Sequence, residues 1–189
     1  KTRVDLSIRN HCCCYIVMSF DTAGDRILEP LRANPITKNL FGFASTVGDF
    51  SIIWHVTGLL YAIGSMDRLK QAIALSVALG AESIIVNQGV KRIFRRERPT
   101  VSGDDRFEVR TPSTSSFPSG HASSATFAAI ILISMTGFPL AILWIIMAGV
   151  VALSRVVVRI HHLSDIVGGV ITGAVLGAIA VPIISSIIG

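Results

Sequence analysis

Long uncharged apolar runs, parted by short polar segments, fill the second half of the chain. Crossing the hydrocarbon core of a bilayer takes about 20 largely apolar residues in a helix. Four stretches approach that length. Residues 50–66 are uncharged until Asp67, Arg68 and Lys70 close the run. Residues 71–90 are interrupted only by Glu82. Residues 121–154 contain no Asp, Glu, Lys or Arg and are too long for one span. The turn signal Thr136-Gly137-Phe138-Pro139 divides that stretch in two. Residues 166–189 again lack all four charged types. The pattern predicts an all-α membrane bundle of about five spanning helices.

The first 49 residues read differently. Residues 11–20 hold a short apolar core, too short to span. The chain opens at Lys1, and such a run is what the end of a longer first helix would leave, raising the count to six. Residues 21–49 alternate apolar and charged positions around Pro30 and Pro35, which predicts one or two amphipathic helices at the membrane surface. Residues 91–120 form the longest polar stretch between spans, with seven Lys and Arg residues among Ser, Thr and Pro. Loops that long are usually functional or disordered. At 189 residues the chain is one domain: an interfacial segment over 1–49 and a bundle over 50–189.

Composition sharpens this picture. Hydrophobic residues make up 51% and charged residues 15%, against about a quarter charged in soluble domains. A disordered chain, a coiled coil and an ordinary soluble enzyme are excluded. The net charge of +5 suits an anionic substrate or head group better than nucleic acid, because apolar runs break up the charges. Cys12, Cys13 and Cys14 are adjacent, which suits neither disulfides nor tetrahedral zinc, so they read as small hydrophobes.

Counting helices places the loops. Residues 91–120 and 156–164 fall on one membrane face, with the segment before residue 50. Of 17 Lys and Arg residues, only Arg68 and Lys70 fall on the other. The positive-inside rule then puts the loop-rich face in the cytoplasm. Three of the cations counted there, Lys91, Arg98 and Arg155, are candidate site residues and inflate the bias.

Chemistry gathers on that face. His161 and Asp165 are four residues apart, so on a helix a carboxylate reaches one imidazole nitrogen and frees the other. His121 follows Ser119-Gly120 at a loop-to-helix junction, where backbone N–H groups favour anions. Lys91, Arg98 and Arg155 add fixed positive charge. A phosphoester needs this set: neutralised oxygens, an in-line nucleophile and a proton for the leaving group.

Lys91-x6-Arg98-Pro99, Pro118-Ser119-Gly120-His121 and Ser154-Arg155-x5-His161-x3-Asp165 together resemble the three signature motifs of the type 2 phosphatidic acid phosphatase (PAP2) superfamily, which includes the vanadium haloperoxidases. The motifs and their helices cover about residues 71–189. The resemblance implies an integral membrane lipid phosphate phosphatase without metal or cofactor. It makes His161 the nucleophile that forms a phosphohistidine, Asp165 its orienting carboxylate and His121 the general acid and base. Lys91, Arg98 and Arg155, with Ser119 and the Gly120 N–H, would hold the phosphoryl oxygens. One departure is the run His161-His162-Leu163-Ser164-Asp165, where members often carry an aromatic residue and a proline. The spacing to Asp165 selects His161 and leaves His162 at the rim.

The substrate stays open among polyprenyl phosphates and pyrophosphates, phosphatidic acid and phosphatidylglycerophosphate. The compact layout, Lys91-Arg92-Ile93 and residues 111–121 also resemble small actinobacterial enzymes acting on prenyl-phosphoryl-phosphoribose in cell-wall precursor synthesis. A haloperoxidase-like enzyme and a non-catalytic lipid-binding protein are rivals from other classes. A metal site on His121, His161, His162 and Asp165 is disfavoured by the three nearby cations. Arg92, Arg95 and Arg96 fit no motif position and are expected at anionic head groups. Glu82, within a span, is expected either to hold a buried hydrogen bond, to His55 or Asn87, or to serve the substrate. Gly169, Gly173 and Gly177 form a small-residue stripe for close helix packing within the chain, a homodimer face being the alternative.

Overall fold

The computed structural model describes residues 6–100, 106, 107, 109, 110 and 114–188, with side chains from residue 16 onward. The side chains of Cys12, Cys13 and Cys14 lie outside that set. Every regular element among the described residues is helical. In order these are α1 (Leu6–Ala33), α2 (Pro35–Val47), a 3₁₀ turn (Asp49–Ser51), α3 (Ile52–Tyr61), α4 (Met66–Ile84), a π turn (Ile85–Val90), α5 (Lys91–Ile93), α6 (Gly120–Thr136), α7 (Phe138–Val157) and α8 (Leu163–Ile188).

The corners follow from local chemistry. Asn34 caps α2, accepting from Ile36 N at 2.9 Å and Thr37 N at 3.4 Å, and Pro35 stands in the first turn, where its missing N–H costs nothing. Phe50 and Ser51 adopt φ of 53° and 59° and part α2 from α3. Gly64, at φ 80°, completes the turn into α4, whose cap is Ser65. Gly137, at φ 76°, breaks the long apolar run where the turn signal stands.

Helices occupy all five apolar zones. By length and composition three can cross a membrane: Met66–Ile93, where α4, the π turn and α5 run on as one rod, Phe138–Val157 and Leu163–Ile188. Gly120–Thr136 is a shorter apolar helix. The stretch from residue 50 yields only the 10-residue α3, about 15 Å long, because the positive φ angles and the turn at Gly64 trim both its ends. The chain is an integral membrane protein.

Helix α6 is the hub and packs mainly on α7 and α8. Ala122, Ala125, Phe127, Ala128, Ile131 and Leu132 are all buried. The glycine stripe of α8 is spent on this contact. A Cβ added at Gly169 would lie 2.5 Å from Ser119 O, and one at Gly173 would strike Ser123 O. One at Gly177 would meet Ile130 side-chain atoms at 3.1–3.2 Å. Missing side chains thus let two backbones touch.

Helices α1 and α2 lie against the site-bearing ends of α7 and α8, and α1 starts at Leu6, well before the expected residue 21. Arg32, 1% exposed, donates to Val156 O and Val157 O at 2.9 Å each, satisfying carbonyls at the end of α7. Its charge is matched by Asp25 at 2.6 Å and Glu29 at 2.8 Å. Ile16, Met18, Phe20 and Ile27 stay exposed on α1.

Candidate active site

His161 and Asp165 meet between α7 and α8. The chain leaves α7 through Arg159, at φ 57°, and the amides of Ile160 and His161 both bond Arg155 O at 3.1 Å. This turn drives His161 inward until it is 2% exposed. Asp165 sits in the first turn of α8 and is fully buried. Its Oδ2 lies 3.4 Å from His161 Nδ1 and accepts from His162 N at 2.8 Å and from Ser116 Oγ. Its Oδ1 accepts from Arg96 Nη1 at 2.6 Å.

The other ring nitrogen faces a cation. Arg98 Nη1 stands 3.3 Å from His161 Nε2. A guanidinium can only donate, so Nε2 carries the lone pair and Nδ1 the hydrogen. The His161 pKa is pushed down to about 3, first by burial and then by the charges of Arg98 and Arg155, against the opposing hydrogen bond of Asp165. The imidazole is therefore neutral and nucleophilic at neutral pH.

A ring of cations surrounds it. Arg98 is anchored by Ile160 O at 3.1 Å and Thr114 O at 3.0 Å. Arg155, 1% exposed, donates Nη1 to Ser45 Oγ. Among the described residues, Arg98 Nε and Arg155 Nε and Nη2 are buried without an acceptor. Buried donors left open cost free energy, so an incoming anion is favoured. Lys91 is buried where the rod ends, and its Nζ would lie 3.5 Å from a Cβ added at Gly120. Ser119 caps α6, accepting from Ala122 N at 3.4 Å, while its own amide bonds Asp165 O at 3.0 Å. That last bond ties the start of α6 to the start of α8.

His121 is held from the N-terminal side. Its Nε2 lies 3.0 Å from Asp49 Oδ1 and 3.2 Å from Ser45 O. Two acceptors on one nitrogen place the hydrogen there and leave the lone pair on Nδ1. Gly48 makes room, since a Cβ there would lie 2.7 Å from His121 Cδ2. Burial raises the Asp49 pKa, but the hydrogen bond and charge of His121, with the charges of Arg155 and Arg110, outweigh it and hold the carboxyl below its ordinary value.

All eight expected residues thus stand around one end of the bundle, but several contributors escaped the sequence. Arg96, expected at lipid head groups, instead joins Asp165 to Asp21, its Nη2 donating to Asp21 Oδ2 at 2.5 Å. The pull of two carboxylates outcompetes the membrane surface. Asp49, Ser45 and Ser116 had no motif to mark them. His162, expected at the rim, is half-buried and lends its backbone amide to Asp165. Glu82 bonds Ser123 Oγ, while His55 pairs with Ser76 at 2.9 Å and Asn87 with Ser83 at 3.0 Å. Serines one helical turn or one neighbouring helix away were nearer than the expected partners. No group of three or more His, Cys, Asp or Glu among the described residues is arranged to hold a metal ion.

The chain is similar to proteins of one known family. The PAP2 superfamily model matches residues 71–187. A decaprenylphosphoryl-5-phosphoribose phosphatase of Mycobacterium tuberculosis is 38% identical over 136 residues, 71% of this chain and 73% of that protein. The protein of the same name from Mycolicibacterium smegmatis is 41% identical over 96 residues, 49% of this chain and 51% of its own. Among solved structures, a transmembrane PAP2 type phosphatidylglycerolphosphate phosphatase from Bacillus subtilis superposes with a TM-score of 0.62 at 20% identity, covering 88% of this chain and 86% of that one.

Proposed function

The chain belongs to the PAP2 superfamily and is a membrane-embedded lipid phosphatase, and we propose that its substrate is a prenyl-linked phosphoribose losing its terminal phosphate through His161. The observation that carries the mechanism is the neutral, fully oriented imidazole of His161 inside a ring of unsatisfied cationic donors.

Arg98, Arg155 and Lys91 bind the non-bridging oxygens, helped by Ser119 and the backbone N–H of Gly120 at the start of α6. His161 Nε2 attacks phosphorus, and the bond to the leaving oxygen breaks. His121, protonated, gives its Nδ1 proton to that oxygen. Asp165 steadies the positive charge that builds on the phosphorylated ring by accepting from Nδ1–H. Water then attacks the phosphohistidine. His121 takes the proton of that water, inorganic phosphate leaves and His161 is neutral again. Every residue in this cycle comes from one chain.

The substrate class rests on the two mycobacterial relatives and on the groove below the site. An apolar groove of about 780 Å³ runs between α4 and α8, lined by Ile73, Val77, Phe127, Leu176, Ile183 and Ile187. Glu82 also lines it and bonds Ser123, one turn into α6 from Gly120. A prenyl tail lying there would leave its head group at the cations. The charge bias favours a cytoplasmic site. A cysteine placed as Arg95→Cys in a background lacking Cys12, Cys13 and Cys14 tests this. It should react with an impermeant thiol reagent in inside-out vesicles only, and reaction only in right-side-out vesicles puts the site outside.

The deciding assay is phosphate release in detergent with EDTA. Prenyl-phosphoryl-phosphoribose, prenyl pyrophosphate, prenyl monophosphate, phosphatidic acid and phosphatidylglycerophosphate are compared, with wild type and His161→Ala. We expect the phosphoribose lipid to turn over fastest and the variant to be inactive. Normal turnover by His161→Ala would overturn the mechanism, and preference for another lipid would overturn the substrate.

A further inference from the structure

We propose that Arg96, held by Asp21 of the N-terminal helix, is a positioning residue that sets the carboxylate of Asp165 against His161; this rests on the phosphohistidine reading above. A carboxylate has two oxygens and a soft terminal torsion. For Asp165 to serve His161, one oxygen must stay on Nδ1 throughout the reaction. The Oδ2 side carries His161 Nδ1, His162 N and Ser116 Oγ. Among the described residues, Arg96 alone, at 2.6 Å, bonds Oδ1. Without it the carboxylate loses the contact that stops it turning.

Arg96 is itself fixed. Its Nη1 also donates to Ser164 Oγ at 2.6 Å, and its Nη2 to Asp21 Oδ2 at 2.5 Å. Asp21, 8% exposed, accepts from Ser164 N at 2.8 Å and Ser164 Oγ at 2.9 Å. The backbone joins in, since Ser116 N donates to Arg96 O at 2.9 Å and Arg96 N to Ser115 Oγ at 3.1 Å. Both terminal nitrogens of Arg96 are thus spent on carboxylates and Ser164, unlike the open donors of Arg98 and Arg155. The chain Asp21–Arg96–Asp165–His161 starts in α1, outside the 71–187 span of the family match. A residue far from the motifs therefore reaches the imidazole through two ion pairs.

The test is a kinetic double-mutant cycle on the full chain in detergent, using the turnover assay, inhibition by inorganic phosphate and thermal unfolding. Arg96→Met should lower kcat roughly 10- to 100-fold, the scale of groups that orient a reacting ligand, with KM and phosphate inhibition unchanged. Arg96→Lys should recover part of the loss. Asp21→Asn should give a smaller loss that vanishes in the Arg96→Met background. In the Asp165→Asn background Arg96→Met should have no further effect. An unchanged kcat for Arg96→Met overturns the proposal. So does a raised KM or weaker phosphate inhibition at normal kcat, which would make Arg96 a direct head-group ligand. An undiminished loss beside Asp165→Asn would reduce Arg96 to fold maintenance. The milder Arg96→Lys and Asp21→Asn decide the matter if Arg96→Met does not fold. If wild type and Asp165→Asn are equally without turnover, the phosphatase reading itself has failed.

Discussion

Asp49 Oδ1 stands 3.0 Å from Nε2 of His121, although the two residues belong to different helical layers. The 3₁₀ turn after α2 carries the carboxylate, and the first turn of α6 carries the imidazole. Together with Ser45 O at 3.2 Å, Asp49 selects the tautomer that leaves the lone pair on Nδ1, the atom proposed to exchange protons. Positioned acid–base groups contribute roughly 10²- to 10⁴-fold in rate. Asp49→Ala leaves Ser45 O in place, so the loss should fall at the low end, about a hundredfold in kcat with little change in KM. Steady-state kinetics on the turnover assay check this, and an unchanged kcat would remove Asp49 from the acid–base pair.

Arg155 supplies a prediction about binding without turnover. Among the described residues its Nε and Nη2 are buried without an acceptor. Vanadate or inorganic phosphate should satisfy them and raise the apparent melting temperature of the detergent-solubilised protein. At a hundred times Kd such a ligand adds about 2.7 kcal/mol. The shift should disappear in Arg155→Met. A full shift in that variant would place the anion elsewhere.

The depressed pKa of His161 predicts a pH dependence of stability. The folded pKa is about 3 and the ordinary value is 6.5. Between those values the unfolded chain takes up a proton that the folded chain refuses, so stability falls as pH drops from about 6.5 toward 3 and is flat above 6.5 on this account. His161→Gln lacks the titrating group and should show a shallower fall in melting temperature over that window. Equal slopes for both proteins would mean that His161 titrates normally.

The α6–α8 contact predicts a graded response along one stripe. Gly173→Ala drives a methyl into the Ser123 carbonyl, which cannot move without shifting α6. Gly177→Ala meets only the side chain of Ile130 at 3.1 Å or more, which can rotate. Overpacking costs about 1–3 kcal/mol, and the Gly173 variant should sit at or beyond the upper end. Thermal melts of the two variants should separate clearly. A Gly177 variant that melts lower would mean that the stripe yields more easily beside Ser123 than beside Ile130.

The motif residues could be found from spacing because each lies within a few positions of its motif neighbours. His161 and Asp165 are one helical turn apart, and Ser119 through His121 open one helix. Apolar run length likewise predicted the helices, and Gly137 the break between α6 and α7. What escaped were groups whose partners are remote in sequence. Asp49 serves a histidine 72 positions away, though Asp49 itself reads as the polar end of an interfacial segment. Arg96 was one of four arginines between 92 and 98, and only the folded chain distinguishes the one that faces Asp165. The shortness of α3 was hidden too, because hydropathy registers apolar length and not the backbone angles at Phe50 and Ser51.

Arg32 clasps the last carbonyls of α7 from a helix that ends at residue 33. During synthesis the N-terminal segment emerges first, yet its docking site does not exist until residue 157 has been made. Helix α1 therefore waits undocked until α7 is complete. A chain halted between α7 and α8 would hold the cations of residues 91–120 but lack Asp165, the carboxylate beside His161. The His161–Asp165 pair is complete only once α8 has begun.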